Sequence, residues 1–194
     1  MALQENIRVA YNALQEQAPN TKVLLLHPNS RYRTLLIAMM INDDSIPTYY
    51  YSLGPDDVNL RSFLERMSHE IANQHPTFGR HLNQLDPTIF DDIEDNVDEV
   101  VEKFVQELEE ISDSPYFFVL DEYDRSDSAD DIHRFVEKLA DVMPENCRMI
   151  LNSRSLPRLP WVSMVAKKQA ALLQDDQLVE NNFYSSYRGD DYRL

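Results

Sequence analysis

Short apolar runs that alternate with stretches of helical periodicity constrain this chain more than any other feature. Runs over residues 22–27, 48–53, 116–120 and 148–152 are each too short for a helix. They carry little polar alternation, as strands do when helices cover both faces of a parallel sheet. Breakers or charged residues close them: Pro28-Asn29-Ser30, Gly54-Pro55-Asp56-Asp57, Asp121-Glu122 and Ser153-Arg154. Between the runs, apolar residues recur at helical spacing. Ile7, Ala10, Tyr11 and Leu14 form one such face; Leu60, Phe63, Leu64, Met67 and Ile71 form another. The stretch from Thr34 to Ile41 is an apolar helix, and Val97, Val100, Val101, Phe104, Leu108 and Ile111 mark a longer one with an acidic outer face from Asp91 to Glu110. Ile132, Phe135, Val136 and Leu139 belong to the next helix, with Asp127 or Ser128 as its cap, and a short helix over 159–167 follows the fourth run.

Strands alternating with helices imply right-handed crossovers, so the expectation is a three-layer α/β/α sandwich around a mainly parallel, five-stranded sheet. The fifth strand is sought around Asp175-Asp176, where residues 171–174 and 177–179 read as a small hairpin or bent strand. One domain over residues 1–180, followed by a polar tail over 181–194 or the start of a further domain, is expected. His75-Pro76, Gly79 and Pro87 punctuate an irregular stretch that reads as an insertion or mobile loop.

The chain has 194 residues, of which 43% are hydrophobic and 27% charged, an ordinary globular composition. Its 18 basic and 34 acidic residues leave a formal charge of −16, which repels a nucleic-acid backbone; direct DNA or RNA binding is not expected. Cys147 is the single cysteine, so neither an internal disulfide nor a Cys-rich zinc site is available. No N-terminal segment resembles a signal peptide, and no apolar run approaches the ~20 residues that cross a bilayer. The expected setting is the cytoplasm, without membrane contact. His69, His75 and His81 stand six apart, which suits no helical or zinc ligand pair. Gly54, Gly79 and Gly189 are the only glycines, so nucleophile elbows and glycine-built ligand loops are excluded. The Arg188-Gly189-Asp190 tripeptide in the tail is read as coincidence.

In an open α/β sheet, ligands bind outside the carboxyl ends of the strands. After the first run lie Pro28, Asn29, Ser30, Arg31, Tyr32, Arg33 and Thr34; after the third, Asp121 and Glu122; after the fourth, Ser153 and Arg154. That order resembles a P-loop nucleoside triphosphatase. Tyr50, Ser52, Leu53, Asp57 and Phe63 match an "aromatic-x-Ser-Leu-x-x-x-Asp…Phe" run. Residues 118–124 are similar to the acidic strand "VLDDYH", and Ser153, Arg154, Pro157, Leu159 and Pro160 to the segment "SRxxPxLP". Together these resemble the signal-transduction (STAND, AAA-like) ATPase domain of the MalT-like and LuxR-type large transcriptional activators, over roughly residues 5–180. The resemblance implies that residues 28–34 would face nucleotide, Asp121 would hold magnesium, Glu122 would polarise water and Arg154 would reach the terminal phosphate. It also implies fused C-terminal domains or a protein partner.

The phosphate loop departs from that family. Where the family reads like "APAGYGKTT", Ser30 and Tyr32 replace glycines and Arg33 stands at the lysine, leaving Thr34 unchanged. Amides that converge on phosphates need glycine at positive φ, which costs a residue such as Arg31 or Tyr32 about 1–2 kcal/mol. The expectation is a degenerate loop that binds nucleotide weakly or not at all, with no cofactor, and a regulatory, protein-binding role in bacterial signalling or transcription. One guanidinium, of Arg33 or Arg154, is expected to pair with Asp121 in place of phosphate and metal. Two alternatives stand beside this: an active switch that binds ATP and magnesium with Arg33 in the lysine's role, and an acidic structural adaptor whose helix between Asp91 and Glu110 docks on a basic surface.

Overall fold

The apolar runs pair side by side as parallel strands, in the order β2-β3-β4-β1-β5. The computed structural model describes residues 2–28, 30 and 32–173. In chain order the elements are α1 (Ala2–Gln17), β1 (Val23–Leu26), α2 (Arg33–Ile41), β2 (Thr48–Ser52), α3 (Leu60–Ala72) and α4 (Ile93–Ile111). They continue with β3 (Tyr116–Asp121), α5 (Asp130–Val142), β4 (Cys147–Asn152), α6 (Trp161–Ala166) and β5 (Ala170–Leu173). The expected α/β/α sandwich with a five-stranded parallel sheet is the observed architecture.

Handedness explains which helices cover which face. From β1 the chain travels past β4 and β3 to the edge position of β2, whereas the steps β2 to β3, β3 to β4 and β4 to β5 all run the other way. A right-handed crossover in opposite directions puts the connecting helices on opposite faces. Accordingly Leu36, Ile37 and Met40 of α2 join Ala10, Tyr11 and Leu14 of α1 over Leu24, Leu26, Phe117, Val119, Ile150 and Leu173. The other face packs α3, α4, α5 and α6 on Val23, Leu25, Phe118, Leu120, Met149 and Leu151. Successive residues of each strand alternate between the two cores, as a period of two requires. Each fully buried Leu or Phe contributes roughly 1.5–3 kcal/mol.

The segment between α3 and α4 differs from the expected mobile loop. Phe78 inserts into an aromatic cluster, 5.9 Å from the Phe104 ring and 6.3 Å from that of Phe118. Buried Glu107 accepts hydrogen bonds from the backbone N–H groups of His81 and Leu82, which fixes the turn above it. Gly79 sits at φ +93°, where a β-carbon would meet Ser68 at 3.2 Å. Pro and Gly here mark short 3-10 turns, Leu82–Gln84 and Pro87–Asp92, anchored by apolar burial.

Other boundaries also shift. Neither Asp127 nor Ser128 caps α5: its N-cap is Ala129, because a 3-10 turn over Tyr123–Ser126 takes up the chain first. The fifth strand begins at Ala170 and pairs with β1 in parallel, with Leu24 opposite Ala171. The rest of the expected hairpin, from residue 174, and the tail lie outside the described residues. On the free edge of the sheet, the Gln74 carboxamide accepts from Tyr50 N–H at 3.4 Å and donates to Tyr50 C=O at 3.2 Å. It occupies that position on an edge strand as a neighbouring strand would. Among the described residues, no helix is long and apolar enough to cross a membrane.

Candidate functional site

Strand order puts the candidate residues in one place. β1 and β4 are neighbours whose outgoing connections lead to opposite faces, so a crevice opens at their carboxyl ends. Arg33 begins α2 on one side of it; Ser153 and Arg154 leave β4 on the other. Asp121 ends β3, one strand further on.

Arg33 bridges the crevice by donating from Nη1 to the Ser153 carbonyl oxygen. Tyr32 is the N-cap of α2 at φ −101°, an ordinary right-handed value, and its carbonyl accepts the first helical bond, from Leu36 N–H at 2.8 Å. The Tyr32 side chain makes no capping bond, and Thr34 is exposed within the helix. Ser30 is buried, and its N–H donates to His27 C=O at 2.8 Å, while Pro28 occupies the turn between them. Asn29 and Arg31 lie outside the described residues. Among the described non-glycine residues only Glu122 and Lys168 have positive φ; Tyr32 avoids the conformation a phosphate cradle would demand of it.

Asp121 is paired with neither Arg33 nor Arg154, contrary to the sequence-based expectation. Its Oδ2 accepts from the Tyr50 hydroxyl at 2.7 Å. Its Oδ1 accepts from Asn152 Nδ2 at 2.6 Å and from Glu122 N–H at 2.8 Å. Tyr50, Asp121 and Asn152 follow the strand period onto the α1/α2 face; Tyr50 stands opposite Val119, two residues before Asp121, and its long side chain reaches forward to the carboxylate. Burial, and then the bond to Asp121, push the Tyr50 phenol up to about 12, so it stays a donor at neutral pH. Asn152 is buried, and its Oδ1 has no hydrogen-bond partner among the described residues.

Arg154 turns outward, to Asp124. Its Nε and Nη2 donate to Asp124 Oδ2 at 2.9 and 2.7 Å, and its backbone N–H donates to Oδ1 at 2.9 Å. Burial alone would raise the Asp124 carboxyl, but these bonds outweigh it and hold it below the usual carboxylate range. Glu122 stands at φ +53° between two guanidiniums, 3.4 Å from Arg125 and 3.5 Å from Arg154. A glutamate in the left-handed region costs about 1–2 kcal/mol, which the neighbouring contacts must offset.

The fit of a magnesium-bound triphosphate to these residues is poor. Arg33 is committed to Ser153 and Arg154 to Asp124, which leaves neither fork directed at phosphate. Both oxygens of Asp121 already accept from N–H or O–H donors. The residues after β1, β3 and β4 thus lie at one end of the sheet in three sets of bonds: Arg33 to Ser153, the row around Asp121, and Arg154 to Asp124.

The roles of Tyr50, Asn152 and Asp124 escaped sequence reasoning. Position was the available signal: Asn152 ends β4, Asp124 lies in the turn after β3, and Tyr50 is inside β2 on the same face as Asp121. Among the described residues no group of three or more His, Cys, Asp or Glu side chains converges. His75 packs against Tyr49 and His81 pairs with Glu110 at 2.9 Å. Cys147 is buried in β4, which pushes its thiol up to about 12 and makes it unreactive at neutral pH. No protein-family model matches the chain, and no curated protein matches it, so the family resemblance rests on the quoted segments alone.

Proposed function

We propose that this chain is a regulatory, protein-binding domain related in design to the signal-transduction ATPases, in which the protein's own side chains have replaced nucleotide. The observation that carries this reading is the Arg33 guanidinium bonded to the Ser153 carbonyl across the β1/β4 crevice. A guanidinium that spans this gap links the start of α2 to the loop after β4 and holds closed the cleft that phosphates would enter. The Tyr50–Asp121–Asn152 row supports the same reading, because it satisfies the acidic strand end with neutral donors and asks for no metal. The domain would then act by presenting a fixed surface rather than by turnover, in bacterial signalling or transcription.

Calorimetric titration with Mg-ATP, paired with thermal unfolding, tests this. A ligand present at a hundred times its dissociation constant adds about 2.7 kcal/mol of stability. Millimolar Mg-ATP is expected to leave the transition unmoved; micromolar affinity would overturn the reading and favour a working switch. The triple variant Ser30→Gly, Tyr32→Gly, Arg33→Lys opens the loop and removes the fork, and is expected to gain a nucleotide-dependent shift.

A further inference from the structure

The outer surface of α4 and α5 carries a groove of about 450 Å³ whose character differs from the rest of the molecule. Its floor is apolar: Val101 is buried, Val105 half-buried, and Val142 is 52% exposed at the end of α5. Its rim is acidic, with Asp98, Glu102 and Glu109 from α4 and Asp141 from α5 against the single ammonium of Lys138. Lys138 is itself spent on Asp98, at 2.5 Å. From Asp98 to Glu109 the rim runs ~16 Å along α4, about three turns.

We infer that this groove docks a cationic amphipathic helix of a protein partner. Charge decides the sign: basic residues on the partner meet the carboxylate rim, while apolar residues at i, i+3 and i+4 spacing settle on Val105 and Val142. Backbone satisfaction decides the shape. Apart from the last-turn carbonyls, the N–H and C=O groups of α4 and α5 are used within those helices, so the groove offers mainly side chains. An extended peptide would leave its own backbone unpaired there, whereas a helix brings its bonds with it. A second copy of this chain is disfavoured, since two molecules each carrying −16 repel.

The proposal extends the protein-binding half of the reading above to a separate face. α4 and α5 lead into the starts of β3 and β4, so the groove lies toward the opposite end of the sheet from the crevice. Nucleotide titration reports on the crevice alone, so either idea can fail without the other.

The probe is a fluorescent leucine–lysine peptide of roughly 18 residues with its leucines on one helical face, followed by anisotropy near physiological salt. The control has the same composition with leucines distributed all round. The patterned peptide is expected to bind more tightly than the control. Val142→Asp is expected to weaken it about tenfold, mainly through faster dissociation, and Glu102→Lys mainly through slower association with a flatter salt dependence. Both positions are exposed, so these variants should fold; circular dichroism checks that. Asp44→Lys, an equal charge change at an exposed site between α2 and β2, is expected to have little effect. Equal binding of the two peptides, or equal weakening by Asp44→Lys and Glu102→Lys, would show bulk charge attraction and overturn the proposal. Sedimentation showing a native dimer that Val142→Asp dissociates would overturn it in favour of self-association.

Discussion

The interior of the β1/β4 crevice and its rim hold carboxylates three positions apart, and the protein neutralises them by different means. Asp121, half-buried at the end of β3, accepts from a phenol, an amide side chain and a backbone N–H, with no cation in contact among the described residues. Asp124, one turn later, is held by the forked, 62%-exposed guanidinium of Arg154. Inside, donors arrive where strand register puts them, and short neutral bonds avoid the cost of desolvating a cation. At the rim a long, hydrated side chain reaches its partner without leaving water. Removing the acid has unequal consequences: inside, it strands three donors, whereas outside, the Arg154 guanidinium can turn back to solvent and only the Arg154 backbone N–H loses its acceptor.

The largest expected effect follows from that inequality. Asp121→Ala should lose about 3 kcal/mol of unfolding free energy, because several donors lose a charged acceptor at once. Asp124→Ala should lose clearly less, both read from urea midpoints at constant slope. Adding ~1 M NaCl should shrink the Asp124→Ala loss and leave that of Asp121→Ala nearly unchanged, since screening acts on exposed charges. The reverse ranking would break the comparison.

Tyr50→Phe should cost about 1 kcal/mol, the worth of one such bond. The same network predicts that the Tyr50 phenol, pushed up to about 12, titrates earlier in Asp121→Asn; ultraviolet difference titration reads this directly.

Acid should act on the rim. The Asp124 carboxyl is depressed in the folded state, so below its folded value both states are protonated and its contribution is gone, while above the unfolded value of about 3.9 the contribution is complete. The stability difference between the native protein and Asp124→Asn should therefore be constant at neutral pH and vanish as pH falls below about 4. A difference that instead changed between pH 6 and 8 would place the effect elsewhere.

The smallest effect is expected at Glu122. Glycine relieves the left-handed strain but frees the unfolded chain and gives up two long ion pairs, so Glu122→Gly should change stability by no more than about 0.5 kcal/mol. A large loss would mean that the glutamate organises the crevice.

Most of the fold was legible before any coordinates. Apolar runs such as 116–120 have only one way to bury both faces, and residues such as Phe63, Met67 and Ile71 repeat at a spacing only a helix uses. Turns and caps were harder. The stretch around Gly79 looked loose because breakers are read locally, while Phe78 and Glu107, which pin it, act through residues of α4 and β3. Asp127 looked like a cap, but a 3-10 turn displaced the helix start and left it bonded to Ser155 at 2.9 Å. At the crevice the loops after β1, β3 and β4 lie at the same end of the sheet, as parallel strands require. The motif order did not reveal that Arg33 would choose a carbonyl 120 residues away, or that Asp121 would be shared by β2 and β4.

Composition and periodicity by themselves determined the layers, the parallel strands, the acidic surface and the absence of glycine from the loop after β1. These are properties of each segment and its burial, and they need no knowledge of neighbours. Tertiary structure alone decided the strand order, which helices share a face, and the bonds that occupy the crevice. Each of those depends on the direction in which a crossover travels and on the register in which distant strands meet. A hydrogen bond of ~3 Å is settled by that geometry, which no local pattern records.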